Sequence, residues 1–412
     1  MRRIKEVAGE EGIEERVLRE NIERGEVVIL KNERGKPVGI GKDLRIKVNA
    51  NLGTSPEVSD LEWEKEKLLA AVEAGADTIM DLSTAGDLDG IRRMFLGNCS
   101  LPLGTVPIYQ AVVESIREEG SLSRMRESKI FEVIEKHARD GVDFVTVHCG
   151  VTRRMLEKMK NSSRIMNLVS RGGAFHITWM VATGKENPLY ENFSELLQIA
   201  KEFDLVLSLG DGFRPGAIDD AGDSLQFEEL LILGELVERA REEGVQVMVE
   251  GPGHVPIHEV TCQVLLEKKI CKGAPFYVLG PLVTDVALGY DHISAAIGGA
   301  IAGMAGADFL CYVTPGEHLR LPTPEDVREG VIAARIAAHS ADIARGWKKA
   351  EEWDRRISLF RKDRNWEKEI ENSLAPKRAR EIWENSRSLI PDICSMCGEF
   401  CSLKLVEEWL KK

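Results

Sequence analysis

LVLSLGDGFRPG (205–216), FEELLILGELVERAREEG (227–244) and VQVMVEGPGHVP (245–256) succeed one another in the chain. The first and third open on short runs of Val, Leu and Met that end at glycine. Such runs are too short for a helix and too evenly apolar for a half-exposed strand, so they read as strands buried on both faces. The middle segment carries its apolar residues at helical spacing. Strand, helix, strand in this order implies a parallel sheet. The same unit recurs on both sides, from about residue 46 to 320. RIKVNANLG, DTIMDLS, TVPIYQ, DFVTVHCG, MNLVSRGG, FYVLGP and DFLCYVTP bring the apolar runs to nine. Eight close a (β/α)8 barrel, so one run is not a stave. A doubly wound open sheet is the alternative. The barrel is preferred because nearly every run carries polar chemistry at its C-terminal end, where a barrel gathers its active site.

The flanks differ from this repeat. In residues 1–45, charge pairs at helical spacing run from Glu10 to Arg24, EVVILKN (26–32) alternates like a strand, and NERGKP marks a turn. The barrel is expected over 46–344. Residues 345–412 are highly charged and helical in period, with a break at Pro376 and with Trp347, Trp353, Trp366, Trp383 and Trp409 spaced along them. Spaced aromatics among charges read as helices with a narrow apolar stripe. That stripe packs either on its own barrel or on a partner subunit. The expected class is therefore α/β, a (β/α)8 barrel with a small N-terminal region and a C-terminal helical segment.

Composition narrows the function. Of 412 residues, 43% are hydrophobic and 30% charged, which suits a globular protein rather than a disordered one. Acidic residues outnumber basic ones by 68 to 55, for a net charge of −13, so a nucleic-acid groove is not expected. MRRIKEVAGEEGIEERV (1–17) is charged throughout, unlike a signal peptide. Ile293 to Ala307 is apolar but too short to span a membrane, and reads as a tightly packed internal helix. A cytoplasmic protein with no membrane partner is expected, in which clustered cysteines are metal or redox groups rather than disulfides.

Cys394, Cys397 and Cys401 form such a cluster in CSMCGEFCS. Zinc would want a fourth Cys or His, and none follows. Three thiols on a 4Fe–4S cluster leave one iron open, as S-adenosylmethionine chemistry requires. The other cysteines (Cys99, Cys149, Cys262, Cys271 and Cys311) are scattered and read as small buried hydrophobes. Four histidines compete for a second metal: His254 after a Gly-Pro-Gly turn, His318 in CYVTPGEHL, His148 in VTVHCG and His292 in GYDHIS. SRGG (170–173) and DGFRPG (211–216) combine glycine backbone with an arginine, a pairing suited to phosphate. They end consecutive apolar runs and are expected as neighbours on one rim, with Ser170 and glycine amides as donors.

KVNANLG, TIMDLST, VPIYQA, VSRGG, SLGDGFRPG, VMVEGPGHVP, APFYVLGPLVTD, GYDHI, LCYVTPGEHL and CSMCG together resemble the ThiC family of thiamine biosynthesis, the hydroxymethylpyrimidine phosphate synthases. The resemblance covers roughly residues 45–330 and the cysteine motif. It implies a radical S-adenosylmethionine lyase that rearranges aminoimidazole ribotide to hydroxymethylpyrimidine phosphate, releasing carbon monoxide and formate. It also implies a homodimer in which the cluster segment of one subunit covers the active site of the other. The implied substrate contacts are Asn51, Met80, Tyr109, His148, Ser170, Arg171, Gly172, Asp211, Gly212, Phe213, Arg214, Glu250 and Tyr277. The implied zinc ligands are His254 and His318, and the implied 4Fe–4S ligands Cys394, Cys397 and Cys401. Neither the electron donor nor a proton- or hydrogen-relaying residue is identified. One departure stands out: Gly398, Glu399 and Phe400 separate the last two cysteines, where the usual motif has four residues. The chain also lacks the long N-terminal extension of many members. Both traits bring in a runner-up, the hydroxybenzimidazole synthase of anaerobic cobamide biosynthesis, which acts on the same ribotide. A non-catalytic metal-binding relic would have no need for so complete a polar site.

Overall fold

The computed structural model describes residues 2–386 and 393–410. It divides into two compact units, Met1–Asp342 and Ile343–Lys412.

After two N-terminal helices, Arg2–Glu11 and Glu15–Glu23, comes an antiparallel hairpin of β1 (Val27–Leu30) and β2 (Val38–Gly41). Then follow β3 (Lys47–Leu52), β4 (Thr78–Asp81), β5 (Leu103–Thr105), β6 (Phe144–Val147), β7 (Val206–Leu209), β8 (Val247–Gly251), β9 (Phe276–Leu279) and β10 (Phe309–Cys311). These eight strands are parallel and close into a barrel in sequence order, with β10 pairing back to β3. Helices link them. Leu61–Ala74 shows the local logic: the Asp60 side chain accepts from the Glu62 and Trp63 amides, and Gly75 ends the helix at φ 87°.

The ninth apolar run, MNLVSRGG, is not a strand. Ile165 and Met166 give their amides to the Asp220 carboxylate instead of a sheet neighbour. Ile165, Met166 and Val169 are exposed. Ser170 then caps the helix Arg171–Thr183, accepting from the Gly173 amide. In TVPIYQ only Thr105 belongs to a stave, and Pro107 opens the helix Pro107–Glu119.

Aromatic rings fill the barrel's lower interior. Phe309 stacks on Tyr277 at 4.3 Å and meets Phe144 edge-on at 6.2 Å. Gly104 makes the room, since a Cβ there would lie 2.2 Å from the Phe144 ring. The hairpin lies across the N-terminal ends of β5 to β8. Asn32 gives its amide to Asp143 Oδ1 and Ile29 gives its amide to Gln246 Oε1. Arg34 reaches Asp143 Oδ2 and the Gly141 carbonyl. The apolar segment around Ile293 is the helix Asp291–Ala305, whose Gly298 and Gly303 face the interior; a Cβ at Gly298 would sit 1.9 Å from the Pro281 carbonyl oxygen.

The second unit contains the helices Lys348–Lys362, Trp366–Glu371, Pro376–Ser386 and Ser402–Leu410. Part of its aromatic stripe packs internally. Trp366 stacks on Trp383 at 5.1 Å, and Trp353 gives its indole N–H to the Asn372 carbonyl. Trp409 is 72% exposed.

Candidate active site

The C-terminal ends of the staves surround a cleft open to solvent. Asn51 comes from β3, Met80 from β4, Glu250 from β8 and Tyr277 from β9. Tyr109, His148, Asp211 and Arg214 enter from the segments after β5, β6 and β7. Alternation along each stave sets which side chains point inward. Asn49 and Asn51 share a face of β3, and Thr146 in β6 and His148 just after it follow the same spacing.

Hydrogen bonds organise the floor. Asn49 donates to the Tyr277 hydroxyl at 2.8 Å and to Asn51 Oδ1 at 2.7 Å, and Asn51 donates to Cys311 Sγ at 3.0 Å. Glu250 Oε1 accepts from Thr146 at 2.6 Å and from Ser208 at 3.0 Å. Arg214 pairs with Asp211 Oδ1 at 3.2 Å. Two buried atoms beside the cleft, His148 Nδ1 and Asp211 Oδ2, have no partner among the described residues. Buried polar atoms rarely stay unpaired, so these are positions a ligand or water would complete. Burial holds His148 well below the usual imidazole range and lifts Asp211 well above the carboxylate range. Glu250 is also raised by burial, against the opposing pull of Thr146.

His254 and His318 lie with ring centroids 5.2 Å apart. Two imidazoles sharing a tetrahedral zinc at about 2.0–2.1 Å per nitrogen would sit about 5 Å apart, centre to centre. Each ring is oriented from behind. His254 Nδ1 meets Asp285 Oδ1 at 2.8 Å, and His318 Nδ1 meets Asp291 Oδ1 at 3.1 Å. These bonds leave both Nε2 atoms as the available lone pairs, the arrangement that carboxylates impose on metal-binding histidines. Burial lowers His254 below the usual range, keeping it a neutral base. His148 neighbours His176 instead, at 6.3 Å between centroids. His292 lines a separate small cavity. No group of three or more His, Cys, Asp or Glu side chains poised for one ion occurs among the described residues, so the pair would take its remaining ligands from solvent or substrate.

SRGG and DGFRPG do meet, although SRGG follows no stave. A Cβ on Gly173 would lie 2.7 Å from the Gly212 carbonyl oxygen, and Gly172 backs onto the His148 ring. The Arg171 guanidinium lies 5.1 Å over the Tyr109 ring and lines a second cavity that shares Asn51. The expected amide donors are differently employed. The Gly173 amide goes to Ser170, and the Gly212 and Phe213 amides go to Glu229. Phe213 is fully buried away from the cleft.

Cys394, Cys397 and Cys401 are free thiols in the second unit, the last two flanking the short helical turn Gly398–Phe400; Gly398, at φ 54°, supplies the carbonyl that the Cys401 amide reaches. The structure does not gather these three thiols into one metal-binding group, so their suitability for a cluster with one open iron rests on their number and spacing in the chain. Among the scattered cysteines, Cys149, Cys271 and Cys311 are buried, but Cys99 is only half-buried and Cys262 is exposed on the helix Val260–Ile270. Cys311 also lines the cleft. The sequence reading missed Asn49, Thr146, Ser208, Cys311, Asp285 and Asp291 as site residues. Period-two alternation near the strand ends carries a signal for the first four; nothing local marks the two aspartates.

The family model for the radical SAM ThiC family matches residues 1–408. Phosphomethylpyrimidine synthase of Thermoanaerobacter sp. (strain X514) is 57% identical over 98% of this chain and 94% of its own length. That of Geobacter metallireducens is 54% identical over 100% of this chain and 95% of its own. A solved dihydropteroate synthase from Coxiella burnetii aligns over 76% of this chain and 99% of its own, but at 10% identity and a TM-score of 0.44 it is too distant to bear on function. A family match from end to end, with more than half of the residues identical along nearly full-length relatives, places the chain in the radical SAM ThiC family.

Proposed function

We propose that the cleft holds aminoimidazole ribotide, with its phosphate toward Arg214 and Arg171 and its imidazole end toward Glu250 and the His254–His318 pair. The activity is that of a radical SAM enzyme of thiamine biosynthesis, the phosphomethylpyrimidine synthase reaction. The hydroxybenzimidazole alternative is not favoured, since relatives of 53–57% identity carry the pyrimidine synthase name despite the shortened cysteine spacing seen here.

The observation that carries the site assignment is the convergence in one cleft of a polar set that is half-satisfied by itself. Asp211 and His148 each keep an unpaired buried atom there. When bound, the cluster and S-adenosylmethionine supply the deoxyadenosyl radical, with Cys394, Cys397 and Cys401 as cluster ligands. His254 and His318 would hold a zinc ion that polarises the substrate. The chain's own part is positioning. Thr146 and Ser208 fix Glu250, Asn49 fixes Tyr277, and neutral His148 offers a hydrogen bond without charge. A homodimer, with the second unit's exposed apolar residues as a docking face, extends the same reading.

Product analysis tests it. Anaerobically reconstituted enzyme given S-adenosylmethionine, a reductant and the ribotide is expected to form the pyrimidine phosphate. A benzimidazole product, or no saturable ribotide binding, would overturn the reading.

A further inference from the structure

Glu229 stands behind the cleft on the helix Ser224–Glu242, which packs outside the barrel beside β8. It is 2% exposed. Its Oε1 accepts from the Gly212 amide at 2.8 Å, and its Oε2 from the Phe213 amide at 2.7 Å. The carboxylate is wedged between two glycine turns. A Cβ on Gly150 would lie 2.7 Å from Glu229 Cγ, and one on Gly212 would lie 3.1 Å from Oε1 and 2.2 Å from Val151. Arg164 completes the hold by donating to the Phe213 carbonyl at 2.7 Å. Arg164 is itself tied to Asp223 at 2.7 Å.

We infer that Glu229 is a positioning residue for substrate binding: by taking the Gly212 and Phe213 amides it fixes the turn that aims Asp211 and Arg214 into the cleft. These amides lie between the two cleft residues, so the turn cannot rotate without breaking both hydrogen bonds. The same bonds turn the amides away from the cleft. Arg214 is thereby left as this turn's donor to an anion. Glycine at 150 follows from the same wedge, because a side chain there would displace the carboxylate, while one at 212 would strike Val151. This inference rests on the reading that the cleft binds the ribotide.

The test uses the reconstituted holoenzyme. Glu229→Gln keeps the shape but turns an amide N–H2 toward one of the two backbone donors. Its KM for the ribotide is expected to rise about ten- to a hundredfold, as for loss of a charged hydrogen bond, with kcat changed less than about threefold. Groups that act through one another are non-additive, so combining it with Arg214→Ala should add little to the loss from Arg214→Ala alone. An unchanged KM in Glu229→Gln, or fully multiplicative losses in the double variant, would overturn the inference. If the variant does not fold, hydrogen exchange in the unsubstituted enzyme decides. Protected Gly212 and Phe213 amides support the assignment, and amides exchanging like an open loop refute it. If Arg214→Ala leaves ribotide affinity intact, the ribotide reading itself falls, and the exchange measurement still reports on Glu229 separately.

Discussion

Asp285 and Asp291 do quiet work behind the two histidines. Each accepts from an imidazole Nδ1, and Asp285 Oδ2 also takes the Ile218 amide at 2.8 Å. Replacing either by Asn removes the charge that fixes the ring, so Asp285→Asn and Asp291→Asn should each weaken the zinc binding proposed for the pair about ten- to a hundredfold, measured by chelator competition. Unchanged affinity in both would detach them from the metal. A second prediction concerns Glu267, buried on the helix Val260–Ile270 with no nitrogen or oxygen partner for its carboxylate among the described residues and the Cys271 thiol nearby. Burial pushes its carboxyl up to about 8, against about 4.3 in an unfolded chain. The folded state therefore holds this proton more tightly. The stability it contributes is full below about pH 4.3 and is lost as pH rises toward 8. Urea midpoints should fall across that window, and Glu267→Gln should flatten part of the slope. At this scale, the residues on strand tips were legible from alternation and glycine turns. Asp285, Asp291 and Glu229 were not, because their roles exist only through partners 16 to 31 positions away.

The elements were legible where local chemistry and tertiary demand agree. Buried staves read as apolar runs, and capped helices read as periodic ones. MNLVSRGG failed because an apolar run says nothing about which amides a remote carboxylate will claim, and here Asp220 claims them. The N-terminal hairpin shows the reverse, a strand pattern correctly read whose seat was invisible. That seat is Asp143, fully buried, which takes the Asn32 and Leu103 amides at 2.7 and 2.9 Å and pairs with Arg34. Asp143→Ala would strand several donors at once and should destabilise the first unit by about 3–5 kcal/mol in urea unfolding. Faster hydrogen exchange is expected across 27–41. A loss under about 1 kcal/mol would mean the hairpin is held elsewhere.

For the whole molecule, division into two compact units lets the cysteine segment proposed to hold the cluster be tested apart from the barrel. Cys397→Ala should abolish the broad visible absorption of the iron–sulfur protein and all turnover. Thermal unfolding of the first unit should stay within a few degrees of the parent. Full iron content and activity in that variant would remove the turn from the chemistry. The broad plan, barrel then charged helical tail, was readable because it rests on periodicity and charge, which are properties of sequence. The hairpin across the N-terminal strand ends has its own consequence for traffic. With the hairpin across that end and the interior packed by Phe144, Phe309 and Tyr277, the cleft opens, among the described residues, at the C-terminal end of the staves. On the proposed reading, incoming ribotide and outgoing pyrimidine would use that opening in turn. The pyrimidine phosphate should therefore inhibit competitively against the ribotide, and the small carbon fragments must leave past whichever larger molecule still occupies the threshold.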